Sequence, residues 1–230
     1  MQLSANRDNV FIVIPAYNES RNIRDVVARV LAIYPHVVVV DDGSTDDLAA
    51  RLTGLRLFVL RHPINRGQGA ALQTGIRFAL LKNAEIIVTF DADGQHDAAD
   101  LEALVEPIQA GECDVALGSR FLGRAHHIPF IRKAVLKLGI LFTRVVSRIE
   151  VSDTHNGLRA FSRRAACSLH ISMDRMAHAS EILDQIKQAH WRFKEVPVNI
   201  YYSAHSRAKG QSSWNALAIA FQVLFKRITG

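Results

Sequence analysis

"VTFDADGQHD", Val88 to Asp97, ends an apolar run with Asp91, Asp93 and Gln95, three oxygen-bearing side chains at every second position. The run that leads into it, "EIIVTF" (Glu85 to Phe90), has counterparts in "VFIVI" (Val10 to Ile14), "HVVVVD" (His36 to Asp41), "LRLFVL" (Leu55 to Leu60) and "DVALGS" (Asp114 to Ser119). Helix-length segments lie between them, near Ser20 to Ile33, Gly69 to Lys82 and Asp97 to Ala110. Short β-branched runs without alternation, separated by helices, predict an α/β fold with a mainly parallel sheet covered on both faces. Ligands of such sheets bind beyond the carboxyl ends of the strands. Polar, Gly-containing clusters follow those ends: "PAYNES", "DDGSTDD", "NRGQG" and "DADGQHD". The expectation is a single crevice built from these loops.

Composition narrows the ligand. The chain has 230 residues, 49% of them hydrophobic, enough for the core of one domain, and no repeat, low-complexity tract or linker divides it. Lys and Arg number 28 against 22 Asp and Glu, a formal charge of +6 that favours phosphorylated ligands, polyanions or an anionic membrane surface. Nucleic acid is disfavoured: aromatics make up only 7%, and no RRM, KH or helix-turn-helix signature is present. A dinucleotide-binding dehydrogenase is disfavoured too, because "PAYNES" and not a GxGxxG motif follows the first strand. The cysteines, Cys113 and Cys167, sit in no CxxC motif, and the scattered histidines, including the adjacent His126 and His127, form no zinc pattern and suit loop or interfacial positions. "MQLSANRDNV" lacks an apolar signal core, which leads us to expect a cytoplasmic protein.

The half after Gly118 is apolar with basic punctuation. On a helix, Lys133, Lys137, Arg144 and Arg148 would fall within about 60° of one another, a basic stripe beside an apolar face. That pattern suits either a solvated face of a core-packed helix or an interfacial helix with its cations at lipid phosphates. A second such helix, "WNALAIAFQVLFKRI", closes the sequence. Neither offers the roughly 20 uninterrupted apolar residues of a spanning helix.

In an extended segment Asp91, Asp93 and Gln95 would point the same way and converge on one hard cation such as Mg²⁺ or Mn²⁺. The alternative is an acidic turn leading into the next helix, with Asp97 as its cap.

"VIPAYNES", "VVVVDDGSTDD", "NRGQGAALQTGI", "FDADGQHDAAD", "GSRF" and "DTHNGLRAF" occur in the order and near the spacing found in family-2 glycosyltransferases. The resemblance spans Val10 to Ser213 and is strongest to the branch of dolichyl-phosphate mannose synthases and bacterial polyprenyl-phosphate glycosyltransferases. It implies a GT-A, Rossmann-like fold with C-terminal amphipathic interfacial helices, about 128–149 and 212–228. Residues 1–118 would form a nucleotide-sugar-binding half and residues 119–230 an acceptor-binding half. Carried over by position, it implies that Pro15, Tyr17, Glu19 and Asp42 line the nucleotide pocket with Asp41 close by, and that Gly67 and Gln68 border the donor. Asp91, Asp93 and Gln95 match the family's metal and diphosphate ligands, and Arg120 and Arg132 match arginines that hold an acceptor phosphate. Arg207, Gly210 and Ser212 keep the pattern of a loop that closes over the donor diphosphate. The sequence departs from the pattern at Ser213, where Lys is usual, and at Leu158, where an aromatic is usual.

The implied activity is inverting, metal-dependent transfer of a sugar from a UDP- or GDP-sugar to a polyprenyl phosphate, undecaprenyl or dolichyl. Its expected setting is the inner face of the membrane, through peripheral contact and with a small integral membrane protein as a possible partner. The alternative is extension of a saccharide in cell-surface polysaccharide synthesis. A saccharide hydroxyl needs a carboxylate base, for which Asp153 and Glu181 are the candidates, whereas a phosphate acceptor is already anionic.

Overall fold

A computed structural model of the protein describes residues 7–126, 149–172 and 178–201. In chain order the elements are β1 (Val10–Ala16), α1 (Ile23–Leu31), β2 (His36–Asp41), α2 (Leu48–Arg51), β3 (Phe58–Arg61), α3 (Gln68–Leu81), β4 (Ile86–Thr89), α4 (Asp100–Gln109), β5 (Val115–His126), β6 (Arg159–Ser162), α5 (Arg163–Ser168), α6 (His178–Gln188) and β7 (Phe193–Tyr201).

The strands form one sheet of seven in the order β3-β2-β1-β4-β6-β5-β7. β1 pairs in parallel with β2 and β4, β2 with β3, and β5 with β7. Alternate strand residues face opposite layers. Ile12, Ile14, Val37 and Val39 pack with Ile23, Val26, Val27 and Val30 of α1 and with Leu101, Leu104 and Val105 of α4. The α1 residues recur at the i, i+3, i+4, i+7 spacing of a helix face. Val13, Val38 and Val40 pack on the other side with Ala71, Leu72 and Ile76 of α3 and with Ile182, Leu183 and Ile186 of α6. Burial on both faces explains why these strands are apolar without alternation.

β6 is the exception that positions the site. It runs antiparallel to both β4 and β5, with Arg159 opposite Thr89 and Leu117. A strand entering the sheet from that end delivers its preceding loop, residues 153–158, to the carboxyl end of β4. The Thr89 hydroxyl fastens the loop by donating to the Gly157 carbonyl at 2.6 Å.

The element boundaries differ from expectation where local hydrogen bonds intervene. α1 begins at Ile23 and not Ser20, because residues Glu19–Asn22 close a turn in which the Asn22 amide donates to the Glu19 carbonyl at 3.0 Å. α4 begins at Asp100 and not Asp97. β5 runs to His126, past the expected end at Ser119, because β7 continues its ladder across an irregularity between Ser119 and Arg124. His126 is therefore the last residue of a strand, not of a loop, and His127 lies outside the described residues. The two expected amphipathic helices also lie outside them, apart from Ile149, which is buried and in no helix. Among the described residues no helix is long and apolar enough to cross a membrane.

Candidate active site

The loops after β1, β2, β3 and β4 interlock at one end of the sheet, as their polar composition leads one to expect. Asn18 joins the first two: its amide donates to Ser44 Oγ at 3.0 Å, and its Oδ1 accepts the Thr45 amide at 2.9 Å. The Ser20 amide also donates to Asp46 Oδ2 at 2.9 Å. Asp42 joins the second loop to the third, accepting the Arg66 amide at 3.0 Å and the Gly67 amide at 2.7 Å. Gln68, the first residue of α3, joins the third to the fourth by donating from Nε2 to Asp91 Oδ1 at 2.9 Å.

The pocket residues implied by the resemblance gather on this platform. Pro15 is buried at the end of β1, Tyr17 is exposed, and Glu19 accepts from Asn22 Nδ2 at 3.3 Å. Asp41 is buried, accepts the Ser44 amide at 2.8 Å and faces Arg61 Nε at 3.4 Å.

After β4 the chain turns instead of staying extended. Gly94, at φ 76°, supplies a left-handed step that side chains resist. Asp93 closes the turn by accepting the Gln95 amide at 3.0 Å and Gln95 Nε2 at 2.7 Å. Asp97 Oδ1 accepts the Ala99 amide at 3.0 Å in a local turn ahead of α4, whose N-cap is Ala99, so Asp97 does not take the expected capping position. The expected convergence through an extended segment is thus replaced by an acidic turn, which still holds Asp93 close enough to feel the charges of Asp91 and Glu19.

Asp91 is held from several sides. Its Oδ2 lies 2.9 Å from His96 Nε2, and since a carboxylate only accepts, that nitrogen carries the proton. His96 is buried, and its other nitrogen, Nδ1, meets no partner among the described residues. Burial pushes the Asp91 carboxyl up, but the hydrogen bond from His96 and the charges of His96, His178 and Arg159 outweigh it and hold the group below its ordinary value. Asp93 moves the other way: burial and the adjacent Asp91 charge raise it. Two neighbouring carboxylates pushed in opposite directions, gathered in one half-buried turn, are relieved by a cation.

Among the described residues no three His, Cys, Asp or Glu side chains close a metal cage. Two carboxylates and an amide suit instead a hard divalent ion that keeps positions for water and phosphate, so the donor set of Asp91, Asp93 and Gln95 fits Mg²⁺ or Mn²⁺.

A buried ion pair joins β5 to the 153–158 loop. Arg120 donates to Asp153 Oδ2 from Nε at 2.6 Å and from its backbone amide at 3.1 Å. Asp153, a candidate base in the sequence, is held by Arg120, and its side chain is 1% exposed. Glu181 on α6 accepts from the amide of Ser172 at 3.0 Å and from its hydroxyl at 2.5 Å. Arg132, Arg207, Gly210, Ser212 and Ser213 lie outside the described residues.

Sequence reasoning assigned no role to Arg159 or His96. Arg159 is buried and donates to the carbonyls of Asn156 at 3.0 Å, Thr154 at 3.1 Å and Ala179 at 3.4 Å, tying the 153–158 loop to the start of α6. Burial lowers it to about 10, against the opposing pull of Asp153 and Asp91. Arg159 stands inside the quoted motif "DTHNGLRAF", but nothing in its spacing tells a buried guanidinium from a surface one.

The model of glycosyl transferase family 2 matches residues 11–168. The UDP-N-acetylglucosamine–dolichyl-phosphate N-acetylglucosaminyltransferase of Methanococcus voltae is 30% identical over 95% of this chain and 96% of its own. The polyprenol monophosphomannose synthase of Mycolicibacterium smegmatis is 32% identical over 70% of this chain and 64% of its own. Among solved structures, glucosyl-3-phosphoglycerate synthase of Mycobacterium tuberculosis, in complex with Mn²⁺, UDP and glucosyl-3-phosphoglycerate, superposes with a TM-score of 0.73 at 19% identity, covering 94% of this chain and 77% of that one. That likeness establishes the GT-A-like fold. With the family match and the motif-bearing loops assembled at one end of the sheet, the chain belongs to glycosyl transferase family 2 and is a glycosyltransferase.

Proposed function

We propose that the protein transfers a sugar from a UDP- or GDP-sugar to a polyprenyl phosphate, with inversion at the anomeric carbon and with Mg²⁺ or Mn²⁺ held by Asp91, Asp93 and Gln95. The observation that carries the donor half is the half-buried acidic turn in which Asp91 is fixed by Gln68 and His96 while Asp93 is raised by desolvation and by its neighbour. A divalent ion there would neutralise charge developing on the departing nucleoside diphosphate. The acceptor half is supported by relatives named for dolichyl-phosphate and polyprenol substrates.

A phosphate oxygen of the acceptor is anionic at neutral pH. It forms the new bond to the anomeric carbon as the bond to the nucleoside diphosphate breaks, and no proton has to leave the nucleophile. The residues' task is to hold two mutually repelling anions in line. On this reading Arg120, braced by Asp153, and Arg132 receive the acceptor phosphate, because a guanidinium offers paired donors to phosphate oxygens. Pro15, Tyr17, Glu19 and Asp42 line the nucleotide with Asp41 close by, and Arg207 and Ser212 belong to the segment that covers the diphosphate. The burial of Asp153 against Arg120 counts against it as the base a saccharide hydroxyl needs and leaves half-buried Glu181 as the candidate for that alternative. The choice of a phosphate acceptor therefore rests on the relatives' names. Residues 1–118 serve as the donor half and 119–230 as the acceptor half. The enzyme works at the cytoplasmic membrane face through peripheral contact, alone or with a small membrane protein.

The test is a donor screen with purified protein, undecaprenyl phosphate in detergent, Mn²⁺ or Mg²⁺ and a panel of UDP- and GDP-sugars. A lipid-linked sugar lost on chelation and on Asp93→Ala supports the proposal. A product that survives both overturns the role given to the metal.

A further inference from the structure

The carboxylate of Asp42 is 3% exposed and is taken up by the chain's own N–H groups. Oδ1 receives the Arg66 amide at 3.0 Å and lies 2.7 Å from His62 Nδ1, and Oδ2 receives the Gly67 amide at 2.7 Å. Because the carboxylate only accepts, Nδ1 of His62 carries the proton. In the neutral ring Nε2 is then an acceptor, and Thr74 Oγ1 stands 3.0 Å from it, placed to donate. The backbone of His62 is fixed as well, its amide donating to the Asp41 carbonyl at 2.8 Å.

Thr74 lies on α3, about two turns after Gln68, the residue whose side chain reaches Asp91. The bonds therefore run without a break from the body of α3 through Thr74, His62 and Asp42 to the amides of Arg66 and Gly67, and then through Gln68 to Asp91. A packing role alone would not call for this arrangement: an apolar side chain at 62 would fill the space, whereas the imidazole satisfies a buried carboxylate and a helix hydroxyl at once.

We propose that His62 and Thr74 are positioning residues of the donor site, which hold Asp42 so that the 65–68 loop presents Gln68 to Asp91 in one geometry. Asp42, which lines the nucleotide pocket on that reading, acts in this account also as the organiser of its wall. The inference rests on the reading that the donor diphosphate and its cation bind at Asp91 and Asp93. Loosening the relay lets Gln68 leave Asp91, so the carboxylate loses one of its fixed orientations and donor binding weakens, although neither His62 nor Thr74 touches the donor.

The variants are Thr74→Val, Thr74→Ser and His62→Ala, each read in two ways. In free protein, hydrogen exchange at the Arg66 and Gly67 amides is expected to quicken at least about fivefold in Thr74→Val and His62→Ala, and to return to the wild-type rate in Thr74→Ser. In calorimetric titration with UDP and with GDP in the presence of Mn²⁺, Thr74→Val is expected to bind about fivefold more weakly, with Thr74→Ser within about twofold of wild type. Unchanged exchange at both amides in His62→Ala overturns the relay, and so does weakened binding that Thr74→Ser fails to restore, since that would be packing. Should exchange respond as expected while wild-type protein binds neither nucleotide, the relay stands and the reading of the donor site falls.

Discussion

Asp91 lies so close to the backbone of Gly157 that a β-carbon on that glycine would overlap both carboxylate oxygens. The contact exists because β6 enters the sheet antiparallel to β4, which brings the loop before it against the residue that follows β4. Asp91 is thus boxed in by Gln68, His96 and Gly157, and only glycine leaves room for the carboxylate.

Gly157→Ala is therefore expected to displace Asp91 and to lower sugar transfer by about 100-fold, the scale of a misplacement near 1 Å at a reacting centre. The check is steady-state transfer with saturating donor alongside the melting temperature. A variant that melts like wild type and transfers at the wild-type rate contradicts this placement of Asp91.

The buried pair of Arg120 and Asp153 leads to a second expectation. Removing one partner leaves the other charge without compensation, so Asp153→Ala should cost about 3–5 kcal/mol of stability. Denaturant unfolding measures it directly. A general base on a tolerant surface would instead lose activity with little change in the unfolding midpoint.

Asp114, at the far end of the sheet from the site, gives a pH dependence. Burial pushes its carboxyl up, but hydrogen bonds from Arg164 and the Arg192 amide, with the charges of both arginines, outweigh this and hold it below the ordinary value. A group depressed in the folded state adds stability that is fully present above its unfolded pKa, about 4, and is lost as pH falls through the folded value. Arg164 is largely exposed, so the effect is modest. Asp114→Asn should be less stable than wild type by roughly 1 kcal/mol at pH 7, with the gap closing below about pH 4. Thermal melts at pH 7, 5 and 3.5 check it, and a gap that widens on acidification contradicts the account.

The legible parts of the fold were those where one physical signal dominates. β1, β2 and β4 are buried on both faces and so stand out as unbroken apolar runs, and the loops at their ends are polar because they close a site. β6 has only 4 residues and carries Arg159, so neither length nor hydropathy marks it. β7 contains Pro197, which argues against a central strand but is tolerated here because β7 is at the sheet edge. In the site, the acidic triplet was visible from its spacing, but its conformation was not: Gly94 and the bonds between Gln95 and Asp93 turn a segment that alternation alone would leave extended. His62 and His96 escaped notice because a histidine's partners lie across the fold, at Thr74 and Asp42 for one and at Asp91 for the other.

The most direct measurement of the central claim compares matched acceptors. Labelled sugar nucleotide, Mn²⁺ and protein are incubated with undecaprenyl phosphate, with undecaprenol and with a saccharide, and each extract is scored for transferred sugar. The account predicts product with undecaprenyl phosphate alone, lost in Asp93→Ala. Transfer to the saccharide or to undecaprenol, with none to the phosphate, would contradict it.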